Sequence, residues 1–448
     1  MKAILLDGSQ ETGGTGKRVR AALTAQLQAQ GWDSEHIVLR EKKIGPCAGD
    51  FFCWIRSPGV CNVNDDNRAI AAAIVASDLM VYLTPVTFGG YSSALKSMVD
   101  HQIQNISPFF ANVEGETHHH KRYQKHPDFL AVGWMEAPDE HSEAVFRHLL
   151  QRNALNFYAK KNVSGVIFAN QTDEEILTSA QKWLDELRNG QPSQQVDLPI
   201  NGDPPTALGV GTGEGSVEVR RALLLVGSPK TRKSTSNSVG AYLYEQLSAR
   251  SVQTETIYPH TVLRSPAKMQ ALLDAVDAAD LVTLTFPLYV DSLPAPVIEA
   301  LECIAAHRQG RDPSHRQLFT AIANSGFPEA HHNATALAIC ATFARQAGFE
   351  WAGSLALGGG GMVNGVPLAE GGGKTLGIRK SLELAAEALA QGQAIPQAAQ
   401  DVMARPVMPP WAYRLTGDLG WIWAARGYRA LKQLKRQPYL EKTKQHRP

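Results

Sequence analysis

The chain starts the same plan twice. Residues 2–9, KAILLDGS, are an apolar run ending in a Gly-Ser loop, followed by a helical pattern from about Lys17 to Gln30. Residues 220–238, RRALLLVGSPKTRKSTSNS, repeat this, with the helical pattern running from about Asn237 to Arg250. Strands bounded by turn residues and alternating with helices describe βαβ units around a parallel sheet.

The repeat continues in order. Second strands are expected at 34–39 (SEHIVL) and 253–258 (QTETIY). Buried third strands stop at a proline in LMVYLTPVTFGGYSSALKSMVDH (79–101) and LVTLTFPLYVDSLPAPVIEALE (281–302). Fourth strands are expected at 129–135 and 318–326, and fifth strands at 163–169 and 349–357. Two five-stranded doubly wound domains follow, in a chain of 448 residues that is too long for one ordinary core. We place the first at 1–190, a Gly/Pro/Ser-rich linker at 191–218, the second at 219–395, and a basic, aromatic, helical tail at 396–448.

A net charge of +1 offers no field that would draw the whole molecule to nucleic acid. No apolar run approaches the roughly 18 residues that span a bilayer, and MKAILLDGSQ turns polar too early for a secretory leader. Five cysteines, an odd number, fit a reducing compartment better than a disulfide framework, so a cytoplasmic location is expected.

In an open parallel sheet, ligands sit beyond the carboxyl ends of the strands. The first loops there are GSQETGGTGK (8–17) and GSPKTRKSTSNS (227–238). Glycines let the backbone bend, hydroxyls donate, and the following helix start offers free N–H groups to a phosphate. Neither loop is GxxxxGK[ST], which argues against a nucleotide triphosphatase. The second loops, TPVTFGGYSSALK (84–96) and FPLYVDSLPAPV (286–297), set proline and aromatic residues where a flat ligand could lie against backbone. The third loops are GWMEAP (133–138) and ANSGFPEAHH (323–332).

In this order the loops resemble those of the NAD(P)H-dependent FMN reductases and multimeric flavodoxin-like oxidoreductases, over roughly 1–190 and 220–390. The resemblance implies two tandem flavodoxin-like domains, FMN as cofactor, NAD(P)H as co-substrate, and a small-molecule acceptor or free flavin as partner. It implies that Ser9, Thr12, Thr15 and Gly16 bind the FMN phosphate in the first copy, and Ser228, Lys230, Ser234, Ser236 and Asn237 in the second. Pro85, Val86, Thr87, Phe88 and Gly89, and Pro287, Leu288, Tyr289 and Val290, would line the isoalloxazine ring. Hydride passes between nicotinamide and flavin without a protein acid or base, so no catalytic side chain is expected. A flavodoxin-like electron carrier, or one FMN domain beside a non-catalytic scaffold twin, are the alternatives.

CAGDFFCWIRSPGVC (47–61) holds three of the five cysteines. Relatives with an iron–sulfur cluster carry four closely spaced cysteines here, whereas this chain reads Cys47, Asp50, Cys53, Cys61. Clusters are normally held by four thiolates, so Asp50 argues against one and a metal-free loop is expected, with a cluster, or zinc held by the three cysteines and Asp50, as the alternatives. GETHHHKRY (115–123) reads as a solvated loop, or as one that meets the nicotinamide dinucleotide phosphates through Lys121 and Arg122, and LALGGGGMVNG (355–365) as either a flexible loop or a close backbone approach to a ligand or subunit. The tail, with Trp411, Trp421, Trp423 and Tyr428 among Arg426, Arg429, Lys432, Lys435 and Arg436, is expected to pack its aromatics on its own domain or on a second subunit of a homodimer, with peripheral membrane contact the alternative.

Overall fold

The computed structural model describes residues 1–190, 198, 219–310 and 315–440. The expected linker, 191–218, lies outside the described residues apart from Leu198. The chain divides into two compact units, Met1–Asp197 with Arg414–Pro448, and Leu198–Tyr413.

The first unit runs β1 (Lys2–Asp7), α1 (Gly14–Ala29), β2 (Asp33–Val38), α2 (Phe52–Ile55), α3 (Asn67–Ala76), β3 (Leu79–Pro85) and α4 (Ser93–Asp100). It continues with β4 (Ile106–Val113), β5 (Glu116–Lys121), β6 (Asp128–Met135), α5 (Glu140–Asn156), β7 (Asn162–Phe168) and α6 (Asp173–Asn189). The five strands of its main sheet are parallel in the order β2-β1-β3-β6-β7. Numbered by sequence within the sheet this is 2-1-3-4-5, the flavodoxin-like order, whose switch point lies between the first and third strands. Central strands buried on both faces read as apolar runs, and residues 79–84 of β3 are buried throughout. The edge strand β2 carries Asp33, Glu35 and His36 on exposed positions, which blunts strand addition. On one face α1 and α6 pack Val19, Leu23, Leu27, Ile176, Trp183 and Leu184 against the sheet.

The second unit repeats this with β8 (Arg221–Val226), α7 (Thr235–Ser248), β9 (Gln253–Ile257), α8 (Pro259–Val262), α9 (Pro266–Ala278), β10 (Leu281–Pro287) and α10 (Ala295–Arg308). Then come β11 (Leu318–Asn324), α11 (Ala334–Gln346), β12 (Glu350–Leu357), α12 (Leu376–Ala390) and α13 (Gln397–Met403). Its sheet is β12-β11-β10-β8-β9, all parallel and in the same winding. The last helix, α14, spans Pro410–Gly427.

Three local expectations change. Helices α1 and α7 begin three and two residues before the expected starts at Lys17 and Asn237, because the small residues of the loops after β1 and β8 form the first turn. Residues 115–123 are not a solvated loop: Glu116–Lys121 pairs antiparallel with Ile106–Val113, turning at Glu114 and Gly115, both at positive φ. Thr117, His118 and Arg122 are buried there. The expected tail also divides, with α13 packing in the core of the second unit through Ala399 and Met403.

Candidate functional site

At the switch point of the first unit, β1 ends in Asp7 and the chain turns through Gly8 and Ser9. A methyl on Gly8 would lie 2.6 Å from Leu95 Cβ, so only glycine lets the loop pass over α4. The Ser9 amide donates to Asp7 Oδ1 at 2.8 Å, its hydroxyl donates to the same oxygen, and Arg20 pairs with Asp7 Oδ2. Ser9 is thus buried and its hydroxyl proton is committed to Asp7. Thr12 and Gly13 are exposed, Thr15 is half-buried, and Gly16 is buried.

Helix α1 has Gly13 as its N-cap and no side chain capping it. Its first amides, those of Gly14, Thr15 and Gly16, have no partner inside the helix by construction. A methyl at Gly16 would fall 2.7 Å from both Ser9 Oγ and the Trp134 ring. Gly16 therefore lies in a narrow cradle floored by Ser9 and walled by the indole. An uncapped helix start with small residues and open amides fits a phosphate.

The second loop follows β3. Pro85, Val86 and Thr87 are half-buried, Phe88 and Gly89 are buried, and Thr87 and Gly90 exchange hydrogen bonds at 3.0 and 2.7 Å. Phe88 (φ 54°) and Gly89 (φ 82°) are the two centres of this tight turn, which matches a type I′ geometry. Val86 N donates to the Trp134 carbonyl at 2.9 Å, fixing the second loop against the third. The structure thus brings Ser9, Gly16 and the 85–89 turn to the same end of the sheet, and leaves Thr12 outward. Trp134, Asp7, Arg20 and Arg40, whose guanidinium donates to the Ser9 carbonyl at 3.4 Å, were not singled out from the sequence. Trp134 at the end of the fourth strand was the legible signal.

The second unit builds the same end differently. Ser234 is the N-cap of α7: its hydroxyl oxygen accepts from Asn237 N at 3.1 Å and donates to the Thr231 carbonyl at 2.6 Å. Thr235 Oγ1 donates to the Gly360 carbonyl at 2.7 Å. Ser236 Oγ accepts from Asn324 Nδ2, and Asn237 Oδ1 from the Tyr258 hydroxyl, both at 2.8 Å. Ser228 is buried and Lys230 exposed. The glycine-rich segment reaches this loop: a methyl on Gly365 (φ 77°) would come within 2.7 Å of the Lys233 carbonyl carbon. In the second loop Pro287, Leu288, Tyr289 and Val290 are half-buried, and Tyr289 and Ser292 form the equivalent turn.

In the cysteine loop, Asp50 Oδ1 accepts from Phe52 N at 3.0 Å. Burial pushes the Cys47 thiol up to about 12, and raises Cys53 as well. His101 Nε2 donates to the Gly45 carbonyl at 2.7 Å, leaving Nδ1, 3.6 Å from Cys61 Sγ, to accept the thiol hydrogen. Burial works against a charge on His101, but these two contacts outweigh it and raise its pKa. All five cysteines are free. Three thiols, a carboxylate bonded to its own loop and one imidazole do not fit a four-thiolate cluster.

The C-terminal segment of the first unit packs on this loop. Trp421 meets Phe51 and Trp54 with centroids 5.4 and 5.2 Å apart, and Tyr428 meets Phe52 at 5.5 Å. The buried Arg122 donates to the carbonyls of Leu434 and Arg436 at 3.1 and 2.9 Å.

Residues 1–125 match the model of the NADPH-dependent FMN reductase family, the stretch that contains the first two loops of the first unit. An iron–sulfur flavoprotein of Methanocaldococcus jannaschii is 36% identical over 101 residues, 22% of this chain and 51% of that protein. One from Archaeoglobus fulgidus is 25% identical over 103 residues, 23% of this chain and 46% of that one. The chain thus spans about half the length of these curated relatives. Among solved structures, the NAD(P)H:quinone oxidoreductase from Methanothermobacter marburgensis is similar with a TM-score of 0.32 and 13% identity, over 41% of this chain and 96% of that one.

Proposed function

We propose that the chain is an FMN-dependent oxidoreductase, reduced by NAD(P)H and passing its electrons to a small-molecule acceptor or free flavin. The observation that carries this reading is the uncapped start of α1 at the switch point of a 2-1-3-4-5 sheet, inside the stretch that matches the FMN reductase family model. FMN, when bound, supplies hydride acceptance and release.

The residues of the first unit hold and orient it. The amides of Gly14, Thr15 and Gly16, with the Thr15 hydroxyl, receive the phosphate. The turn from Pro85 to Gly89 presents backbone to the ring, and its buried centre keeps water from that side. Trp134 walls the phosphate end. The Asp7–Arg20 pair holds Ser9 as the floor, and its cation offsets the carboxylate charge that would otherwise repel the phosphate. No side chain is assigned a proton-transfer role, because the exchange with nicotinamide requires none.

A second FMN belongs to the second unit, on Ser228, Lys230, Ser234, Ser236 and Asn237, with its ring against Pro287 to Val290. The hydroxyls of Ser234 and Thr235, which already donate to the Thr231 and Gly360 carbonyls, favour the other reading of this unit, a scaffold without flavin. Titration of the flavin-free chain with FMN, followed by absorbance and by NADPH and NADH oxidation, tests both. Two equivalents with the first unit filling first are expected. A chain that binds no FMN, or binds it without oxidising either nucleotide, overturns the reading as an NAD(P)H-dependent enzyme.

A further inference from the structure

Helix α14 is apolar on two faces, and only one is covered. Gly417, Trp421, Ala424 and Ala425 turn toward the first unit. Gly417 has no room for a methyl, which would lie 2.3 Å from the Phe110 ring, while Trp421, Ala424 and Ala425 join Trp54, Ile106 and Leu434 in one apolar cluster. At about 100° per residue, Leu415, Leu419, Ile422 and Trp423 fall within an arc of about 100° on the other side. They are exposed by 57%, 57%, 40% and 80%. A monomer with no use for this stripe would carry polar residues there.

Charge identifies the occupant. From Pro409 to Leu440 the sequence carries Arg414, Arg426, Arg429, Lys432, Lys435 and Arg436 against one acid, Asp418. Asp418 is turned inward, accepting from Phe110 N at 2.8 Å. Arg426, Arg429, Lys432, Lys435 and Arg436 are exposed at the end of the stripe. Arg56 lies 5.5 Å over the Phe52 ring that packs on Tyr428, adding a cation beside them. The segment is fixed in place, because Gln437 Nε2 donates to the Arg122 carbonyl at 2.6 Å and the Tyr439 hydroxyl to Gln104 Oε1 at 2.7 Å. Two copies pairing through this stripe would bring cations together with no exposed acid in residues 409–440 to answer them. An anionic lipid surface answers both features: acyl chains receive Leu415, Leu419 and Ile422, the Trp423 indole sits at the interface, and the phosphates face the basic end. No helix among the described residues is long and apolar enough to cross a membrane, so the helix lies along the surface. We infer that α14 and the basic segment after it form a peripheral docking face for anionic phospholipid membranes.

The experiment is co-sedimentation of the full chain with vesicles of phosphatidylglycerol and phosphatidylcholine in equal parts, and with phosphatidylcholine alone. Binding is expected only to the anionic vesicles, and is expected to vanish at about 1 M salt, where the Debye length falls to about 3 Å. Two variants divide the surface without touching its packed side. Leu419→Ser with Trp423→Ser, and Arg429→Glu with Lys432→Glu and Lys435→Glu, should each lower vesicle affinity at least about tenfold. Both should keep the circular dichroism of the parent. Equal binding to neutral vesicles overturns the inference, as does no binding to either kind. A concentration-dependent dimer that Leu419→Ser with Trp423→Ser dissolves, with no vesicle binding, overturns it in favour of a second copy. These readouts need no flavin, so they stand or fall apart from the proposed activity.

Discussion

The two units share a winding but begin the helices after their first strands, α1 and α7, in opposite ways. Helix α7 is capped by its own Ser234, the hydroxyls of Ser234 and Thr235 donate to the Thr231 and Gly360 carbonyls, and Ser236 Oγ accepts from Asn324 Nδ2. Helix α1 has a glycine at the cap and no side chain bonded to its first turn. The loop richer in hydroxyls is therefore the more self-satisfied one. A donor already paired must break a hydrogen bond to serve a ligand, whereas an open helix start gains one. Counting hydroxyls along the sequence favours the second unit, and counting helix-start amides that no side chain caps favours the first.

The sharpest way to break this comparison is to fill the cradle. Gly16→Val puts branched carbon where a methyl alone would lie 2.7 Å from Ser9 Oγ and the Trp134 ring. If it displaces the phosphate from two charge-assisted bonds of about 1.5–3 kcal/mol each, FMN affinity of the first unit falls by about 100-fold or more. Ser234→Ala with Ser236→Ala should weaken only the second, later equivalent. Bound flavin per chain, measured for both variants, decides. If Gly16→Val leaves the first equivalent intact, the phosphate does not sit at α1.

A second contrast lies in the helix after the tight turn. The turn bridges Thr87–Gly90 and Tyr289–Ser292 align α4 with α10, so Lys96 corresponds to Ile298 and Asp100 to Glu302. Lys96 and Asp100 form an ion pair at 0% and 1% side-chain exposure, while Ile298 is simply buried. Removing one partner of a buried pair strands the other charge and costs about 3–5 kcal/mol, whereas replacing both by apolar residues is often neutral. Lys96→Met should accordingly lower the unfolding transition of the first unit by that amount. Lys96→Ile with Asp100→Leu should recover most of it. Calorimetry is the suitable measurement, since a chain of two units need not unfold in one step.

Acid separates the units more gently. His119 stands between the Trp54 and Phe110 rings, with centroids 4.5 and 5.1 Å away. Burial there pushes its pKa down to about 3, against hydrogen bonds that raise it. An unfolded imidazole protonates near 6.5, so between these values the unfolded chain binds the extra proton. Stability of the first unit is complete above about pH 6.5 and declines as pH falls toward 3. His36 and His126 are lowered in the same unit and His260 in the second, so both units lose stability toward acid, while the raised His101 works against this in the first. His119→Phe should flatten the profile between pH 6.5 and 4.5, above the carboxylate range, at the loss of about 1 kcal/mol at neutral pH for its bond to the Pro108 carbonyl. An unchanged slope would remove His119 as the cause.

The duplicated strand and loop pattern made the winding legible, because a parallel sheet buried on both faces leaves uninterrupted apolar runs such as 79–84. The third and later strands fall within one or two residues of their expected bounds for that reason. The hairpin was hidden because His118, His119 and His120 read as polar, although burial and ring contacts make His118 and His119 part of the packing. Loop membership of Ser9, Gly16 and Pro85–Gly89 could be read from spacing. Which hydroxyls are already bonded could not, since Gly360 and Asn324 reach Thr235 and Ser236 from more than eighty residues away.

The smallest contrast is in the tight turns themselves. The first unit places Phe88 and Gly89 at the two positive-φ positions, and the second places Val290 (φ 45°) and Asp291 (φ 59°). A β-branched residue is poorly suited to that region, where an L side chain crowds the backbone by roughly 1–2 kcal/mol. Such strain persists where the surroundings hold it, often at a ligand, and Val290 lies on the loop proposed to face the flavin ring. Val290→Gly should relieve the strain and raise the stability of the flavin-free second unit by up to about 1 kcal/mol, the gain being limited by the greater freedom glycine has when unfolded. If the strained valine is kept for the ring, the same variant should weaken the second FMN equivalent while leaving the first unchanged. Calorimetry of the flavin-free chain and FMN titration of the variant measure the two effects separately. A loss of stability would mean that the Val290 side chain contributes more by packing than its backbone loses by strain. An unchanged second equivalent would leave the strain without a role in binding.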